Sequence, residues 1–143
     1  MGHDMKKKYR RWISQLWNGD LSLADELVSA DFTIHQARSG GELSEDDGGP
    51  EAIRSLVKRS RGAFSDIHFS IVVGPIEEDD LVAGRWSAEA TYAGGMPGAT
   101  AKPGTKVTFG GTDILRHANG VFQEYWVSSD GLSLMEQLGA FGG

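Results

Sequence analysis

Tyr9, Trp12, Ile13, Leu16 and Trp17 fall at i, i+3, i+4, i+7 and i+8. That single apolar stripe predicts an amphipathic helix over residues 4–17, ended by Asn18-Gly19, a pair suited to the C-terminal turn. Leu23, Ala24, Leu27 and Val28 repeat the spacing and predict a short helix over 21–29. A short strand over 31–36 carries His35. Residues 37–49 are polar, acidic and Gly-rich, with the character of a functional or irregular loop. A third helix opens at Pro50, which suits the first helical position, and Glu51 favours its positive end. Ile53, Leu56, Val57 and Phe64 form its buried stripe.

Beyond residue 66 the period changes from helical to two. Ile67, Phe69, Ile71 and Val73 alternate as a strand with His68 and Ser70 on its opposite, more polar face, and Pro75 ends or bulges it. After the acidic turn 77–80, a strand over 81–92 sets Val82, Gly84, Trp86, Ala88, Ala90 and Tyr92 against Arg85, Ser87, Glu89 and Thr91. The Gly- and Pro-rich segment 94–104 follows as a loop placed to lid a pocket. Two further strands flank Asn119-Gly120, a pair that supplies the positive φ angles of a tight hairpin. The first aligns Val107, Phe109, Gly111, Asp113, Leu115 and His117; the second aligns Val121, Gln123, Tyr125 and Val127. A short helix follows, with Asp130 placed as its N-cap. Asp113 is the misfit in this pattern, because a carboxylate in an apolar row is costly unless paired, hydrogen-bonded or facing a cavity.

Length and composition narrow the reading. The 143 residues fit one domain, 1–143. Helices ahead of an antiparallel meander predict an α+β fold, a curved antiparallel sheet forming a cone covered by N-terminal helices. There is no cysteine, so disulfide and thiol chemistry are excluded. No apolar run is long enough to span a membrane, and the basic N-terminus leads into no signal-like stretch, so a cytoplasmic, non-membrane protein is expected. A formal charge of −6 argues against nucleic acid as partner. The acidic residues 45–47 do not match a calcium loop, and no metal-ligand spacing is present.

Four stretches carry a family resemblance: LWNGDLSLADELVSADFTIH (16–35), GPEAIRSLVKRSRGAFSDIHF (49–69), GRWSAEATYAGG (84–95) and GTDILRHANGVFQEYWVSSDGLSLMEQLG (111–139). Together they resemble the SnoaL-like polyketide cyclases, of the nuclear transport factor 2-like superfamily. The resemblance implies a cofactor-independent enzyme that closes a polyketide ring by intramolecular aldol addition, in an apolar pocket and without a metal. It implies a carboxylate acid/base on the last strand, at a position that is Val127 here. Asp113 aligns with a second polar pocket position, Ile34 and His35 lie near a third, and Trp17 aligns with the family's helix-1 aromatic.

The expected activity is therefore a cyclase or isomerase acting on a polyketide-like or polycyclic small molecule. Asp113 is the candidate acid/base, with a pKa raised by burial. His35 is its candidate partner and Tyr125 a donor to an enolate oxygen. Trp17, Trp86, Tyr92, Phe109, Leu115, Gln123 and Val127 are the candidate substrate-binding residues. Two alternatives stand beside this: water addition of the epoxide hydrolase type, with Asp113 and Arg85, and a non-catalytic binding protein for a hydrophobic metabolite. A homodimer or higher oligomer is expected through the outer sheet face, from Ile114, Phe122, Trp126 and Trp86.

Overall fold

In a computed structural model, residues 4–36 and 48–140 are described. The polar loop expected at 37–49, with its acidic triplet, lies outside them but for Gly48 and Gly49. Helix α1 (Met5–Arg11) is capped by the Asp4 side chain, which accepts from the Lys7 N–H at 3.0 Å. The predicted helix then continues as a π-helical turn, Trp12–Leu16. The wider turn, closed by Trp17 N–H to Trp12 C=O at 3.0 Å, keeps Trp12, Ile13, Leu16 and Trp17 all buried. The second helix is shorter than its stripe suggests: a 3₁₀ turn at Leu21–Leu23, then α2 (Ala24–Leu27). Val28 is already extended, so β1 (Val28–Gln36) begins earlier than the pattern indicates. Helix α3 (Gly49–Arg61) places Pro50 in its first turn, as expected.

The meander comprises β2 (His68–Glu78), β3 (Leu81–Thr91), β4 (Lys106–Ala118) and β5 (Val121–Ser129). Its strands pair antiparallel, and β1 adds to β5 in parallel, giving an open mixed sheet in the order β1-β5-β4-β3-β2. The fold is α+β, with the N-terminal helices on one sheet face. β2 runs past Pro75 to Glu78 by way of two register shifts, which absorb the proline. Asn119 and Gly120 take φ of 55° and 82°, the two positive values a type I′ turn requires.

Alternation predicts the faces of β3 and β4 correctly. Val82, Trp86, Ala88, Ala90, Val107, Asp113 and Leu115 are buried, while Glu89, Thr112 and Ile114 are exposed. On β5 the pattern breaks. Arg116 pairs with Glu124, but His117 pairs with Phe122, so Gln123 is an extra residue in a β-bulge. The bulge turns both Phe122 and Tyr125 inward, where they meet Trp12 edge-on at 5.6 and 5.0 Å. Phe122 is thus core, as is Trp86, and neither belongs to the outer patch expected from the sequence.

Helix α4 (Gly131–Gln137) closes the chain. Asp130 stands at its start but does not cap it, because its carboxylate accepts from Arg85 Nη2 at 3.1 Å. Gln137 does what a neighbouring strand would do. Its side-chain amide accepts from the Thr108 N–H (3.0 Å) and donates to the Thr108 C=O (2.8 Å), covering a stretch of β4 that β5 does not reach. The Leu138 carbonyl accepts from the Thr100 and Ala101 N–H groups, both at 2.9 Å, and so ties the 94–104 loop to the C-terminal segment. No described helix is long and apolar enough to cross a membrane.

Candidate functional site

Asp113 is 0% exposed and, among the described residues, is the charged residue buried in the core. Its carboxylate is held from three elements. Tyr9 on α1 donates its hydroxyl to Oδ2 at 2.9 Å, Trp86 on β3 its indole N–H to Oδ1 at 3.0 Å, and Tyr125 on β5 its hydroxyl to Oδ1 at 2.9 Å. The Trp12 indole N–H, without a properly aligned partner among the described residues, adds a fourth favourable dipole. Burial pushes the Asp113 pKa up to about 6, and the Tyr125, Trp86, Tyr9 and Trp12 donors hold it from rising further. Tyr9 and Tyr125 are shifted upward, by burial first and by the adjacent carboxylate second, so both remain neutral donors.

Two glycines make this geometry possible. Gly84 is the register partner of Asp113, and Gly111 that of Trp86. A Cβ at Gly84 would overlap the Tyr9 ring, and one at Gly111 the Trp86 ring. The two bare positions let both rings lie close against the sheet and reach the carboxylate.

Beside this assembly is an aromatic slot of about 60 Å³, open to solvent at its rim. Trp17, Phe69, Trp86 and Phe109 form its walls, with Leu56 and Val127. Successive rings meet at 5.3 Å (Trp17–Phe69), 5.3 Å (Phe69–Trp86) and 6.0 Å (Trp86–Phe109). Ser60 and Ser129 complete the lining. The slot and the carboxylate share Trp86, whose ring is a wall and whose N–H holds Oδ1. Val127, another wall, is the register partner of Asp113, so the two side chains are neighbours on the inner face of the sheet.

Of the sequence candidates, Trp17, Trp86, Phe109 and Val127 line the slot, and Asp113 and Tyr125 are joined beneath it. The others lie elsewhere. His35 pairs in register with Trp126, stacks on its ring at 5.2 Å and bonds Glu124 at 3.1 Å, all on the outer face. Strand alternation sends Ile34 inward and His35 outward, so His35 is no partner of Asp113. Tyr125 donates to Asp113 rather than lining the slot. Leu115 is fully buried, and Gln123, turned out by the bulge, donates to the Ala118 carbonyl at 3.3 Å. The Tyr92 hydroxyl accepts from the Met96 N–H at 2.8 Å and anchors the 94–104 loop. Arg85 faces outward onto Asp130 and Thr112, and Arg116 pairs with Asp80 (2.6 Å) and Glu124 (3.1 Å), so neither meets Asp113. Tyr9 and Trp12 were legible only as core, although a tyrosine hydroxyl on the stripe facing a buried aspartate marks a donor. Among the described residues no His, Asp and Glu cluster suited to a metal occurs.

Comparison with known proteins agrees with this architecture. A family model for SnoaL-like polyketide cyclases matches residues 7–138. IdmH of Streptomyces antibioticus, a candidate polyketide cyclase, superposes with a TM-score of 0.80 at 24% identity, over 96% of this chain and 99% of that one. A candidate polyketide cyclase from Acidithiobacillus ferrooxidans gives 0.79 at 22% identity, over 96% and 97% of the two chains. AclR of Streptomyces galilaeus, a candidate hydroxylase, gives 0.76 at 24%, over 99% and 85%. No curated protein matches the sequence significantly. With its nuclear transport factor 2-like fold and a family match over nearly its whole length, the chain belongs to the SnoaL-like polyketide cyclase family.

Proposed function

We propose that this protein is a cofactor-independent cyclase or isomerase for a flat, polyketide-like molecule bearing carbonyl groups. The observation that carries this is a buried carboxylate, its pKa moved to about 6, that shares Trp86 with an aromatic slot. In this reading a ligand entering the slot displaces the Trp86 ring, so that Oδ1 keeps its Tyr125 hydrogen bond but loses the Trp86 donor and turns that lone pair to the ligand. Asp113 then takes a proton from a carbon next to a carbonyl. The enolate attacks a second carbonyl of the same molecule, a C–C bond forms, and the resulting alkoxide is protonated. Protons balance and no redox partner is consumed. Tyr9 and Tyr125 are positioning residues that set the ionisation of Asp113. The same proposal places two copies together through the outer sheet face, where Ile114 is 40% exposed beside Trp126 and Ile76 is 60% exposed on the edge strand β2. Water addition is disfavoured, because Arg85 faces away from the carboxylate.

One observation favours a second reading, a binding protein without catalysis. Asp113 has no exposed surface, and both its oxygens accept from aromatic donors, as suits a strut tying three elements together. The two readings part in an exchange experiment in D2O with 1-indanone, a flat ketone with acidic C2 protons. The enzyme reading expects the protein to speed deuterium entry at C2 and Asp113→Asn to slow it by about a hundredfold, the scale of a general base. Equal rates in the two folded proteins would leave the binding reading.

A further inference from the structure

Trp17 has a property that its role as a wall does not use. The residue is 7% exposed, borders the slot, and its Nε1–H finds no hydrogen-bond partner among the described residues. Buried indole N–H groups ordinarily find an acceptor, because an unmade hydrogen bond in the interior is costly. The main chain around Trp17 is held in place. Arg61 Nη1 donates to the Trp17 carbonyl at 3.0 Å and to the Ile67 carbonyl at 3.2 Å, fixing the helix end against the start of β2. Asn18 accepts from the Phe69 N–H at 2.7 Å and donates to the Phe69 C=O at 3.1 Å, which ties the chain just after Trp17 to the backbone of Phe69. The Trp12 indole, also without a well-aligned partner, differs in facing Asp113.

An unpaired, desolvated donor on a residue that borders an apolar slot is matched by an acceptor that arrives with the ligand. We propose that Trp17 Nε1–H is a specificity-determining donor to an oxygen of an uncharged occupant, a carbonyl or the enolate oxygen formed from it. No ionised side chain lines the slot among the described residues, which sets the charge of that occupant. Trp17 would then hold the oxygen while Asp113, reached once the Trp86 ring is displaced, handles the proton. The inference rests on the slot being the substrate site.

The test is an NMR titration of the 15N-labelled full chain with 1-indanone and with indane, which differ only by the carbonyl. The Trp17 indole N–H resonance is expected to move downfield with indanone and to stay in place with indane. Trp17→Phe keeps a ring but loses the donor, and should weaken indanone by about 3–10-fold, the range of a neutral hydrogen bond, with indane unchanged. Equal losses for both ligands, no loss for either, or a Trp17 resonance unmoved by bound indanone would overturn the proposal and leave Trp17 a wall, with the slot intact as a ligand site. Should Trp17→Phe not fold, the wild-type resonance decides alone. If neither probe perturbs Phe109 or Val127, the slot reading fails, and this inference with it.

Discussion

At the scale of the residue, Asp113 governs the behaviour of the site. Its carboxyl group has a pKa of about 6 in the folded chain, against 3.8 for an ordinary aspartate, so it binds its proton more tightly when folded. Its contribution to stability is therefore fully present below about pH 4 and is lost as the pH rises through 6. The loss amounts to about 3 kcal/mol by the energy of a pKa unit. Unfolding midpoints in denaturant should fall across that window in the wild type and stay flat in Asp113→Asn. The surface carboxylates Glu26 and Asp80, lowered by Arg11 and Arg116, act in the opposite sense and at lower pH. The sequence disclosed Asp113 because a charge interrupted an apolar alternation. It did not disclose Tyr9 and Trp12 as its donors, because an aromatic that serves a carboxylate and one that fills a core occupy the same stripe. His35 failed as a partner for a one-residue reason: its neighbour Ile34 takes the inward position.

At the scale of the element, local pattern and tertiary pairing divide the credit. Strand β3 follows its alternation throughout and β4 follows it from Gly111 to Leu115, where β4 is paired on both sides. Strand β5 does not, since the bulge at Gln123 is a property of the β4–β5 register and leaves no mark in the period of either strand. The two glycines at 84 and 111 were visible as letters, but their purpose depends on rings from other elements. Gly84→Ala should destabilise the fold by about 1–3 kcal/mol through overpacking against Tyr9, a fall that thermal unfolding would register. The 94–104 segment, expected to lid a pocket, is tied by Tyr92 and by the Leu138 carbonyl. The Thr100 and Ala101 amides are accordingly expected to exchange slowly with solvent. Gln137→Ala, by uncovering β4, should speed exchange at the Thr108 amide and leave the slot unchanged.

At the scale of the whole molecule, the sheet separates two kinds of surface. Its inner face carries the carboxylate and the slot under the helices. Its outer face carries Trp126 between the His35 ring, stacked at 5.2 Å, and the Arg116 guanidinium, 5.7 Å from the Trp126 ring centre, with Ile114 alongside. Light scattering at micromolar concentration should give the mass of a homodimer, and Ile114→Glu should shift it toward the monomer; a wild-type monomer would contradict the interface. The architecture was legible from helix stripes, strand periods and the Asn-Gly turn. The parallel addition of β1 was not, because a strand's partner lies outside its own pattern.

The central claim is that Asp113 moves a proton for a ligand in the slot, and the most direct test is the pH dependence of deuterium entry at C2 of 1-indanone. The account predicts a protein-dependent rate that rises with one ionisation near pH 6, levels above it, and is about a hundredfold lower in Asp113→Asn. A rate that follows the buffer at every pH, or one unchanged by the substitution, would contradict it.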